Sequence, residues 1–180
     1  MTRESDQTAA YSPSARALHW LTAALVLVLI PVGIIMANIG PGTPQNFLYN
    51  LHRSIGVLLL PLVLARLIYR LGHPPPPLPA DIPAAQQFAA TLMHRALYAL
   101  LIIQPIVGLI ATSAYRAAIS FFWLFELPPV WPQDRPFSER VFLGHRVIGF
   151  LLAILLCGHV GAALYHHFVR RDSVLRRMWW

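Results

Sequence analysis

Four stretches of this chain are apolar over lengths that cross a bilayer, and that limits its fold more than any other feature. They cover residues 17–39, 47–71, 88–114 and 141–168. Each is longer than the roughly 20 residues a membrane helix needs. In hydrocarbon no water satisfies backbone N–H and C=O groups, so a spanning segment of this kind must close its hydrogen bonds internally as a helix. The chain carries only 12% charged residues against 57% hydrophobic, where a soluble domain carries about 25% charged. The expected fold is all-α, an integral membrane four-helix bundle. A polar segment (1–14) precedes one transmembrane domain (15–170), and a basic-aromatic tail (171–180) follows it. The first window exceeds the apolar region of a signal peptide and no small-residue cleavage site clearly follows it, so it reads as a retained span.

The net charge of +7 comes from fourteen arginines without a lysine. They flank the spans, which argues for membrane topology and against nucleic-acid binding. Nine lie at Arg3, Arg16, Arg66, Arg70, Arg95, Arg170, Arg171, Arg176 and Arg177, on one side; Arg53, Arg116, Arg135, Arg140 and Arg146 lie on the other. The positive-inside rule then puts both termini in the cytoplasm. Membrane lipid is an expected partner of every span.

Punctuation residues separate the windows. Ser14 is an expected N-cap, and Asn38 to Gly42 stops the first span, with 43–46 as a short outer loop. His73 to Pro79 is too proline-rich for a helix and suits an inner polyproline strap. Residues 116–138, with five aromatics from Phe121 to Trp131, read as an interfacial cap on the outer end. Pro31, Pro61 and Pro105 fall mid-span, where they either bow helices around a bulky ligand or are simply tolerated. Cys157, the single cysteine, reads as a buried structural thiol.

The polar exceptions inside the apolar windows carry the chemistry. His19 lies near the inner end of the first span, His52 near the outer end of the second, and His145 and His159 at the outer and inner parts of the fourth. Ionisable residues within membrane spans are costly and point to function. His145 and His159 are 14 residues apart, nearly four helical turns and about 21 Å, so they share a face. Depth pairs His52 with His145 and His19 with His159. Two bis-imidazole pairs suit the axial ligation of two non-covalent b haems that carry electrons and leave iron no open position. Gly56 and Gly149, each one turn after an outer histidine, would leave room for a macrocycle, and Arg53 and Arg146 would pair with its carboxylates. The plainer alternative is that each histidine is a polar cap at the interface. His94 is open to packing on the inner haem, lining a quinone pocket, or a simple interfacial place; His166 to a proton-handling role at a quinone or to serving as the inner ligand.

These residues resemble the bacterial cytochrome b561 family, whose members include superoxide oxidase. The resemblance covers about residues 11–178. It rests on Leu18-His19-Trp20, His52, Arg66-Leu67-Ile68-Tyr69-Arg70, His94-Arg95-Ala96-Leu97-Tyr98, His145, His159, and the stretch from Ala162 to Phe168 followed by Asp172 and Leu175 to Met178. It implies a four-helix bundle in the bacterial inner membrane holding two b haems, with ligands at His19, His52, His145 and His159. It also implies electron exchange with ubiquinone near His166, and superoxide as an outer-face donor in some members. The outer side here is only weakly positive, because Glu126, Asp134 and Glu139 offset most of its arginines. The competing expectations are a cytochrome b subunit of a periplasmic dehydrogenase or hydrogenase, and a haem-free transporter.

Overall fold

A computed structural model describes residues 10–77 and 82–179. The expectations for residues 1–9, for Leu78 and Pro79 of the strap and for Trp180 lie outside the described residues. Four long helices dominate: α1 (Pro13–Asn38), α2 (Thr43–Gly72), α3 (Ala84–Tyr115) and α4 (Arg135–Tyr165). All four are long and apolar enough to cross a membrane. α1 packs on α2, α2 on α3, and α3 on α4, and the four-residue link from α1 to α2 makes that pair antiparallel.

Every helix begins several residues before its apolar window. Pro13, Pro44 and Pro136 occupy the first two positions of α1, α2 and α4, and Pro83 is the N-cap of α3. Proline is pre-set for the first helical turn, where its missing N–H costs nothing. The expected outer loop 43–46 is therefore helical. The N-cap of α1 is Ser12 rather than Ser14, its hydroxyl accepting from Ala15 N–H at 3.3 Å. Asp134 caps α4 in the same way, accepting from Phe137 N–H at 2.9 Å.

The outer loop holds a structure that its composition did not announce. Strands β1 (Ile119–Phe121) and β2 (Phe125–Leu127) pair antiparallel, with Ile119 opposite Leu127. Phe122 and Trp123 take positive φ at the turn, a conformation usually left to glycine or asparagine. Ser54 of α2 is fully buried and holds this turn: its hydroxyl accepts from Phe122 N–H at 2.8 Å and lies 2.9 Å from the Ser120 carbonyl. Arg53 donates to the Ala118 carbonyl at 2.9 Å. At the tip Leu124 is 77% exposed.

At the inner end α4 runs into a π-helical turn (His166–Arg170) that stops at Arg171 with a left-handed backbone. The tail then folds back on the bundle. Arg177 is only 4% exposed and donates to the Pro76 carbonyl at 2.7 Å. Trp20 Nε1–H donates to the Met178 carbonyl at 2.8 Å.

The buried core is Val26, Leu29, Ile55, Leu59, Val63, Leu97, Leu101 and Leu152. It lies at mid-depth, between the outer and inner histidines. Elsewhere the apolar residues face outward, as lipid requires: Ile68, Leu71, Ile154 and Phe168 are among the most exposed. Cys157 is on that outward face, not in the core. Without water there is no drive to hide it.

Candidate functional site

Two histidine layers form, one at each end of the apolar core. In the outer layer α2 supplies His52 and α4 supplies His145, with ring centres 6.2 Å apart and planes at 81°. In the inner layer α1 supplies His19 and α4 supplies His159, again at 6.2 Å, with planes at 65°. His94 of α3 joins the inner layer, its ring centre 5.5 Å from that of His159.

The outer rings are held by groups not singled out from the sequence. His145 Nδ1 lies 3.1 Å from the Gln104 carbonyl, and Gln104 Nε2–H donates to the His145 carbonyl at 2.8 Å. A carbonyl can only accept, so Nδ1 carries the proton and Nε2 keeps its lone pair. His52 Nδ1 is buried without a well-formed hydrogen bond, the Leu29 carbonyl lying beside it. The glycines against these rings are Gly33 and Gly108. A Cβ at Gly108 would sit 2.8 Å from His145 Cε1, and one at Gly33 would sit 3.1 Å from His52 Cε1. Gly56 faces open space and Gly149 faces the Gln104 amide at 3.0 Å. The sequence signals were available: Gln104 is an amide in the middle of an apolar span, and Gly33 and Gly108 sit two and three residues after mid-span prolines.

The inner histidines line a cavity with Arg66, Tyr98, Leu101 and Leu152. Arg66 donates to His19 Nδ1 at 2.7 Å and lies 5.2 Å from the centre of the Tyr98 ring. His94 lines this cavity and His166 does not. His166 Nδ1–H instead donates to Asp172 at 2.5 Å, and Arg170 Nε lies 3.3 Å from the same carboxylate oxygen. Burial would by itself raise the Asp172 carboxyl. The hydrogen bonds from His166 and Val174 N–H and the charge of Arg170 outweigh it and hold the carboxyl below the usual carboxylate range. Arg53 is half-buried and engaged with the hairpin, while Arg146 is exposed. His73 stacks on Tyr69 at 4.1 Å, at the inner surface.

Paired imidazoles at two depths of an apolar bundle suit electron carriage by a bound redox group. A family model described as prokaryotic cytochrome b561 matches residues 10–180. Among curated proteins, the chain is 31% identical over 173 residues to cytochrome b561 homolog 2 of Escherichia coli (strain K12), covering 93% of this chain and 90% of that one. It is 28% identical over 162 residues to cytochrome b561 homolog 1 of the same organism, covering 89% and 92%. It is 26% identical over 168 residues to a probable superoxide oxidase CybB of Yersinia pestis, covering 93% and 94%. The chain therefore belongs to the prokaryotic cytochrome b561 family: it is a multi-pass b-type cytochrome of the bacterial inner membrane with a role in electron transfer.

Proposed function

We propose that the chain holds two haem b groups, one between His52 and His145 and one between His19 and His159, and passes electrons between an outer-face donor and ubiquinone at the inner face. The observation that carries this reading is the repeated 6.2 Å spacing of the two histidine pairs. That separation would leave room for one metal ion between the two rings of a pair, at the roughly 2 Å of a metal–imidazole bond. The His94–His159 rings stand closer, at 5.5 Å, and do not share that spacing. The donor chemistry also fits, because the outer His145 already has Nε2 free.

Haem b when bound supplies one-electron ferric/ferrous chemistry. The chain's own residues do the rest. Gln104, Gly33 and Gly108 fix the outer rings. Gly56, which faces open space, would leave room beside them for a macrocycle, whereas at Gly149 the Gln104 amide takes up that space. Arg53 and Arg146 are the outer cations for its carboxylates, and Arg53 exchanges its bond to Ala118 to serve. At the inner end His94 and His166 are the candidate quinone-site residues, with Asp172 holding the His166 ring through Nδ1 and leaving Nε2 for proton exchange. Both termini lie on the cytoplasmic side.

Superoxide is the donor favoured by similarity to a probable superoxide oxidase. Two superoxide anions give up one electron each and leave as dioxygen, while one ubiquinone takes two electrons and two protons to become ubiquinol. The test is purified protein with a steady superoxide source and a soluble ubiquinone, with quinol formation followed optically. Superoxide-dependent quinol formation, lost in a variant lacking His159, is the expected result. Full haem occupancy without quinol formation overturns superoxide as donor.

A second reading has its own observation. The hairpin tip exposes Trp123, Leu124 and Phe125 in one run, which suits docking to a periplasmic dehydrogenase or another electron donor. A stoichiometric partner in a mild-detergent pull-down, lost in Leu124→Asp, would favour it.

A further inference from the structure

We propose that Arg66 is the anchor for a carboxylate of the inner haem, and that it leaves His19 for that carboxylate when the haem enters. This deepens the reading above and rests on it.

The first ground is charge. Arg66 lies within the α2 span and is half-buried. Its guanidinium does not lose its proton in proteins. Among the described residues no carboxylate pairs with it; the ion pairs found there both involve Asp172. Its partners are a neutral imidazole nitrogen and the face of Tyr98. A cation placed inside a span calls for an anion. The ligand of this cavity brings one, since haem b carries two carboxylates, and a guanidinium matches a carboxylate with two parallel hydrogen bonds.

The second ground is the proton on His19. Arg66 can only donate, so His19 Nδ1 is the acceptor and the neutral ring carries its proton on Nε2. Metal-binding histidines show the reverse pattern, with the non-ligating nitrogen donating outward, as His145 does to Gln104. In the outer layer His145 is thus set for iron, whereas in the inner layer His19 is set only once Arg66 has moved. The third ground is room to move. Arg66 lines both the inner histidine cavity and a second pocket at the inner surface, with Tyr11, Tyr69, Arg70 and His73. Tyr98 likewise lines both. Arg70 lies 5.8 Å from the centre of the same Tyr98 ring, so a second cation is beside it.

The experiment titrates full-length apo-protein in detergent with haemin and with haemin dimethyl ester, whose carboxylates are masked. The inner site is the absorbance change that His159→Ala removes. Wild type is expected to bind haemin at that site about tenfold or more tighter than the ester, the scale of one charge-assisted hydrogen bond. Arg66→Gln is expected to bind both with the weaker affinity, and Arg66→Lys to recover part of the preference. Equal affinity of wild type for haemin and ester overturns the proposal without any variant. So does a preference undiminished in Arg66→Gln, because a residue that merely packed on Tyr98 would weaken both ligands alike. Uptake of neither ligand at either site of wild type overturns the haem reading itself, which separates the two failures.

Discussion

Gly108→Ala adds one methyl group where the helix backbone meets a histidine, and its effect can be worked from two distances. The new Cβ would stand 2.8 Å from His145 Cε1 and 3.2 Å from Nδ1, so the ring must move about 0.6 Å to reach an ordinary 3.4 Å contact. The ring is not free to do so. Its Nδ1–H is committed to the Gln104 carbonyl at 3.1 Å, and the Gln104 amide is tied to the His145 carbonyl. Overpacking of this kind costs about 1–3 kcal/mol. If the strain falls on the ligand geometry, outer haem affinity drops roughly 5- to 150-fold. Gly33→Ala meets His52 at 3.1 Å and should weaken the same haem less. Gly144→Ala meets no atom within 4 Å and is the control. The assay is haem per chain by pyridine haemochrome on purified protein, with dilution to expose the weakened site. The expected order of haem loss is Gly108→Ala, then Gly33→Ala, then Gly144→Ala, with the inner haem retained throughout. Full and dilution-resistant occupancy of both sites in Gly108→Ala would refute the assignment of His145 as a ligand held by this contact.

Three further outcomes are expected. His159→Ala should bind one haem in place of two, whereas His94→Ala should keep both; loss of none in His159→Ala by haemochrome assay sinks the inner pair. Ser54→Ala leaves the Phe122 N–H without its acceptor, which costs about 1–3 kcal/mol. Amide exchange in residues 119–127 should accelerate while the rest of the chain is unchanged, and unaltered protection would dismiss Ser54 as the hairpin's fastener. Asp172 has a lowered folded-state pKa, so its contribution to tail docking is present above the usual carboxylate value of about 4 and is lost as pH falls through its lower folded value. Exchange of residues 172–178, corrected for intrinsic rates, should rise on acidification in wild type. In Asp172→Asn it should be raised at every pH and flat, and a variant that still loosens only in acid would move the cause elsewhere.

The number and type of helices were legible because a 20-residue apolar run has few alternatives in a membrane. The start of α1 was legible to within two residues, from Ser14 to the observed cap Ser12; the other starts were not, because a hydropathy window weighs side chains and is blind to the prolines and to the Asp134 cap that begin those helices. The meeting of His52 with His145 and of His19 with His159 followed from depth and helical spacing, which depend on one repeat length. The residues holding those rings did not. Gly33 and Gly108 reach their histidines across a helix–helix contact, and contact across helices needs a rotation that the sequence leaves open. The β1–β2 turn was hidden for a related reason: Phe122 and Trp123 are poor turn formers, and only the buried Ser54 hydroxyl on another helix accounts for their backbone.

The eight apolar side chains that fill the layer between the histidine pairs have a bioenergetic consequence. From Val26 and Leu29 through Leu59 and Val63 to Leu152, that core is a continuous run of aliphatic side chains. An electron can tunnel through such a layer, and an ion cannot follow it. If the two histidine pairs hold the haems proposed above, each transfer between them moves one net charge through the low-dielectric part of the membrane. A full crossing is worth about 2.3 kcal/mol for every 100 mV of membrane potential. On that proposal the rate of electron passage is expected to depend on the membrane potential, a polarised membrane opposing flow toward its negative face and a depolarised one releasing it.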